Sequence, residues 1–151
     1  MGREATATRG KDMADKMKTA FRIGTGALGL IGIISGGKAV WQGASGFLGE
    51  ALAGVTDPGA LMVLDNEFRF FAGIWFLVGL SMLLGAIFIH KRPRHLQIGL
   101  EAILVGGLAR AFAFAEYGFQ AQFMPAILIE IIVPAVLLVL MVRWQKAESA
   151  T

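Results

Sequence analysis

Four long apolar runs separated by polar stretches set the plan of this chain. A helix needs about 20 apolar residues to cross the hydrocarbon of a bilayer, and in that solvent only a helix or a closed barrel satisfies its own backbone. The runs predict helices over residues 21–40, 65–89, 96–114 and 124–144. Ahead of the first run, Met13, Met17 and Phe21 recur every four residues among Lys11, Asp15, Lys16 and Lys18. That pattern fits a short amphipathic helix on a membrane surface, and a disordered basic tail fits the same residues. The connection over residues 42–64 is long, and Phe47, Leu48, Ala51 and Leu52 share one helical face within it. It therefore admits a short interfacial helix before Gly54, with Asp57-Pro58-Gly59 as the turn that leaves it. The expected fold is all-α, an integral membrane four-helix bundle: a basic N-terminal segment over 1–20, a four-span domain over 21–144 and a tail over 145–151.

Composition agrees with the pattern, at 56% hydrophobic and 17% charged residues. Once four spans are drawn, no length remains for a separate soluble domain, so any chemistry must sit between helices or at their ends. The chain has no cysteine, which removes disulfides, thiolate nucleophiles, iron–sulfur clusters and Cys-type zinc sites together. His90 and His95 stand in one basic loop and cannot form axial haem ligation from two helices, so they read as solvated histidines. There is no Ser-His-Asp set at membrane depth, no phosphate-cradling loop and no Glu-x-x-His pair. These features predict no cofactor, no metal and no enzymatic activity.

The formal charge of +3 is unevenly placed, and its placement argues for membrane orientation rather than nucleic-acid binding. Arg3, Arg9, Lys11, Lys16, Lys18 and Arg22 precede or open the first run, residues 90–95 carry Lys91, Arg92 and Arg94, and Arg143 and Lys146 close the last run. The other two loops hold essentially no basic residue apart from Lys38 at a boundary. Both termini and the 90–95 loop are therefore expected on the cytoplasmic side.

Ionisable residues inside the runs are the candidate site, because a charge at membrane depth must face protein or water and find a partner. With the topology above and a rise of about 1.5 Å per residue, Arg69, Arg110 and Glu130 all fall roughly 6–9 Å below the outer boundary. Glu67 lies close above Arg69, and Glu67, Arg69, Arg110 and Glu130 sum to zero, as a buried charge network should. Such a set either fixes helix register or lines an outward-facing pocket for an anionic headgroup or small molecule. Phe68, Phe70, Phe71, Trp75, Phe112, Phe114, Tyr117 and Phe119 would line the pocket. Pro134 removes the helical hydrogen bond to the carbonyl of Glu130, and Arg110 or Arg69 is the expected donor to it. Glu101 sits on the opposite face of its helix from Arg110 and needs a partner of its own. Gly32 and Gly36 form a G-x-x-x-G pair on one face of the first span, suited to close helix packing within the chain or to a partner subunit.

Several of these residues also carry a resemblance. Leu64, Asp65, Arg69, Phe70, Phe71 and Gly73 open the second span; Gly106, Gly107 and Arg110 lie in the third; Tyr117-Gly118 follows, and Glu130 and Pro134 stand in the fourth. In these positions the chain resembles, over about residues 22–144, a bacterial four-helix membrane family catalogued as domain of unknown function 4345. The resemblance implies a small multi-pass protein of the bacterial inner membrane and implies no activity. The functional expectation is a non-enzymatic accessory or scaffold subunit of a larger inner-membrane complex, with membrane lipids and other membrane subunits as partners. The alternative is a small-molecule or lipid binder or transporter built around Arg69, Arg110 and Glu130.

Overall fold

The computed structural model describes residues 2–89, 93–119 and 121–149. Among them the protein is all-α, with four helices long and apolar enough to cross a membrane: α1 Gly2–Leu48, α2 Pro58–Ile87, α3 Pro93–Tyr117 and α4 Met124–Ser149. It is a multi-pass membrane protein. Single 3₁₀ turns, Gly49–Leu52 and Ala121–Phe123, follow α1 and precede α4. The chain divides into two compact units, one of residues 1–25 with 85–151 and one of residues 26–84.

Several helix ends differ from the sequence expectation by a few residues, and the starts of α1 and α2 differ most. The basic segment before Phe21 is helical, but it is continuous with the first span rather than a separate surface helix. Nothing in residues 10–22 breaks a helix, since there is no proline and Gly10, the weakest helix former there, costs only about 1 kcal/mol. Helix α2 begins at Pro58, seven residues before the expected Asp65. Asp57 is its N-cap: the two carboxylate oxygens accept the backbone N–H groups of Gly59 and Ala60, each at 3.2 Å, and the Asp57 carbonyl accepts Leu61 N–H at 3.0 Å. Pro58 then occupies the first helical position, where its missing N–H costs nothing and its fixed φ suits the helix. Of the expected 90–95 turn, His90, Lys91 and Arg92 lie outside the described residues, and α3 has already begun at Pro93.

In the unit of residues 26–84, α1 and α2 pack backbone to backbone. A Cβ added to Gly29 would come within 2.8 Å of Gly79 O, one on Gly32 within 2.9 Å of Gly79 Cα, and one on Gly36 within 2.7 Å of Phe76 N. Gly32 and Gly36 thus serve intrachain packing, joined by Gly29 on the same face and answered by Gly79 on α2. Trp75, one turn from Gly79, donates its indole N–H to Ser35 Oγ at 2.8 Å and fixes the rotation of the two helices.

In the other unit, the N-terminal part of α1 runs antiparallel to α4. Lys18 Nζ meets Glu148 Oε1 at 2.7 Å, the rings of Phe21 and Trp144 are 5.9 Å apart, and Gly24 lies under Leu137. Helices α3 and α4 are also antiparallel, with Gly107 against Glu130 and Ile131, and Leu96 covers Gly85. The core of this unit includes Phe21, Leu96, Leu100, Met141 and the fully buried Thr25, whose hydroxyl donates to Phe21 O at 2.8 Å.

Candidate functional site

Among the described residues, four of the ionisable side chains within the apolar helices form two ion pairs, one inside each unit. In the unit of residues 26–84 the pair is Asp65 with Arg69, one turn apart on α2, with Arg69 Nε 2.7 Å from Asp65 Oδ2. The pair grips a break in α1. At Gly43 the backbone takes φ 68° and ψ −175°, the left-handed region open to glycine, and the helical hydrogen-bond ladder is interrupted. The carbonyls before the break and the N–H groups after it lose their helical partners. Arg69 Nη1 donates to Val40 O at 2.5 Å and to Trp41 O at 3.4 Å, while Asp65 Oδ1 accepts the N–H of Ala44 at 2.6 Å. One side chain closes the end of the first helical piece and the other opens the next. Gly43 has no room for a side chain in any case, because a Cβ there would meet Asp65 Oδ1 and the Arg69 guanidinium.

Residues 44–52 after the break are helical, and this is the helix that the sequence admits before Gly54. Phe47 holds it, with its ring 5.5 Å from that of Phe68 on α2 and with Lys38 Nζ 5.8 Å from its centroid.

The second pair joins α3 to α4. Arg110 Nε is 3.0 Å from Glu130 Oε2, and the side chains are 55% and 15% exposed respectively. Glu130 Oε2 has no aligned hydrogen bond, so the contact is an ion pair without a donor pointing along the lone pair. Arg110 and Glu130, which the sequence reading places at one level on adjacent helices, are in contact. Arg110 gives its contact to the carboxylate rather than to the Glu130 carbonyl freed by Pro134, and Pro134 is buried inside an otherwise unbroken α4. Gly107, one turn before Arg110, lets the helices approach, since a Cβ there would lie 2.9 Å from Glu130 Cβ.

The remaining candidates are placed as follows. Glu67 is exposed and makes no ion pair among the described residues. Glu101 accepts a hydrogen bond from Gln97 Nε2 at 2.8 Å, which is the partner that sequence reasoning left open. Phe70, Phe71 and Phe112 face outward, at 60%, 62% and 80% exposure, rather than toward a pocket, and the side chain of Tyr117 lies outside the described residues. Among the described residues no three His, Asp or Glu side chains stand together as metal ligands.

Sequence reasoning missed Asp65 as the partner of Arg69, although the i,i+4 spacing of opposite charges on one helix was a readable signal. It also missed Lys18, whose Nζ lies 5.0 Å from the centroid of the Trp144 ring as well as against Glu148. Trp144 is itself buried, and its indole N–H has no acceptor among the described residues.

The family model described as Domain of unknown function (DUF4345) matches residues 20–141. No curated protein and no solved structure matches the chain.

Proposed function

Because the chain belongs to the DUF4345 family, whose description carries no activity, we propose its role from its geometry: a non-enzymatic accessory or scaffold subunit in the bacterial cytoplasmic membrane. One observation carries this reading. Each intramembrane arginine is committed within the fold, Arg69 to Asp65 and two backbone carbonyls, Arg110 to Glu130. Charges so matched position helices, and they leave little to recruit or transform a substrate. Large apolar side chains such as Ile34, Leu77, Val105 and Ile132 face outward along all four helices, which is surface for lipid and for neighbouring membrane subunits. Both termini and the 90–95 loop lie in the cytoplasm in this proposal, supported by the distribution of basic residues.

Purification in mild detergent, with a photoreactive residue at outward positions on each helix, tests the scaffold role. A discrete adduct with one membrane protein from one face supports it. Uniform labelling by lipid alone from every face counts against it.

A second reading is favoured by one detail of the Arg110–Glu130 pair. The contact with Glu130 runs through Arg110 Nε, and the Arg110 side chain is more than half exposed, so part of its guanidinium faces outward. A small anionic ligand or lipid headgroup would fit there. A stoichiometric small molecule that co-purifies with the protein and is lost in Arg110→Gln would establish this reading instead.

A further inference from the structure

In the unit of residues 1–25 and 85–151, the end opposite the Arg110–Glu130 pair carries a concentration of positive charge. Gly107 packs on Glu130, and counting thirteen residues back along α3 and thirteen forward along α4 reaches Arg94 and Arg143. The two helices are antiparallel, so these arginines lie in one layer, about 20 Å from the Gly107 contact. On α1, Phe21 packs against Trp144, which brings Arg22 into the same layer. Three helices therefore each place one arginine at a common level.

That level is the edge of the apolar zone. No charged residue follows Arg22 until Lys38, none precedes Arg143 back to Glu130, and beyond Arg94 the next charge on α3 is Glu101. The three arginines are exposed, and none has a carboxylate partner among the described residues. Their neighbours toward the aqueous side are already matched, Lys16 by Asp12 at 2.8 Å and Lys18 by Glu148 at 2.7 Å.

We propose that the collar of Arg22, Arg94 and Arg143 binds the headgroups of anionic phospholipids in the bilayer that the helices cross. Guanidinium groups held at the hydrocarbon edge meet phosphates at their natural depth, and each presents a planar fork of donors that matches phosphate oxygens. Lys146, one turn further along α4, is accounted for by the helix C-terminus and is not needed.

The test uses the full chain in an uncharged detergent, titrated with phosphatidylglycerol or phosphatidylcholine and followed by native mass spectrometry. The expected result is tighter binding of phosphatidylglycerol, roughly fivefold for each arginine near the headgroup layer, with the preference shrinking as salt is raised. Arg22→Gln, Arg94→Gln and Arg143→Gln should each remove a few-fold of that preference, and the triple variant nearly all of it. Lipid-free melting and circular dichroism show whether each variant folds; if the triple variant does not, the three single variants decide. Equal binding of the two lipids by the unaltered chain overturns the proposal. So does a preference that survives in the folded variants, or one that Arg110→Gln abolishes instead, which would move the lipid to the other end of the unit.

Discussion

Asp65 and Arg69 lie one turn apart on α2 and cap opposite ends of the break at Gly43 in α1, the carboxylate taking Ala44 N–H and the guanidinium taking the carbonyls of Val40 and Trp41. Helix ends ordinarily find their caps within a few residues along the same chain. Here a single i,i+4 ion pair supplies both from a neighbouring helix, so the pair and the break require each other.

Removing either member should therefore harm the protein through backbone groups as well as through charge. Arg69→Met leaves two carbonyls unsatisfied and strands Asp65; Asp65→Ala leaves Ala44 N–H without an acceptor. Each should lower the melting temperature in detergent, and the double variant should lower it by less than the sum of the two. Additive losses would show that the two residues act independently.

Gly43→Ala should destabilise for a different reason, since φ 68° is unfavourable for any residue with a Cβ and the space is already filled by Asp65 and Arg69. A variant that melts like the parent would mean that the break is not obligatory.

The adjacent glycines Gly106 and Gly107 should respond oppositely to alanine. Nothing lies within 4 Å of a Cβ on Gly106, whereas one on Gly107 would sit 2.9 Å from Glu130 Cβ and from Ile131 Cγ1. Gly106→Ala should be neutral or gain up to about 1 kcal/mol from helix propensity, and Gly107→Ala should lose on the order of 1–3 kcal/mol by overpacking. Leu at Gly32 or Gly36 should be worse, abolishing the folded monomer because the facing atoms are α2 backbone. Chemical or thermal unfolding of the set checks this, and a folded Gly36→Leu monomer would contradict it.

For Arg110 and Glu130, partial exposure places the expected coupling between that of surface pairs and that of buried ones, about 2 kcal/mol in a double-mutant cycle. Cycles inside membranes often yield only about 0.6 kcal/mol for a hydrogen-bonded pair, so a coupling near that value would remove any special role for this contact.

The proposed topology is checked by reporter fusions at Thr56, in the link before α2, and at Arg94, in the first turn of α3. They should report opposite sides of the membrane.

The four membrane helices were legible because a bilayer forces apolar length, and the Arg110–Glu130 pair was legible because equal depth on adjacent helices can be counted. The start of α2 was not, because Asp57-Pro58-Gly59 is as good a turn as it is a helix entry, and only the carboxylate contacts to Gly59 and Ala60 decide between them. Seven residues of error there made Asp65 and Arg69 look like residues of a first turn. They lie about two and three turns in, and their real task, capping a neighbouring helix, depends on a tertiary contact that no local pattern encodes. Gly32 and Gly36 declared a close approach, but their counterpart Gly79 is one of several small residues on α2, with no glycine three or four residues away to single it out.

The glycine face and the capping pair make α1 and α2 commensurate at two separate places, like a key with two cuts. On α1 the distance from Gly36 to Gly43 is seven residues, two helical turns; on α2 the same interval separates Asp65 from Ala72, which faces Gly36. A single residue inserted between Asp65 and Ala72 would turn one cut by about 100° while leaving the other in place. Homologous chains should therefore vary freely in the length of the loop before Asp57 and hold this interval constant, changing it, if at all, by whole pairs of turns and on both helices together.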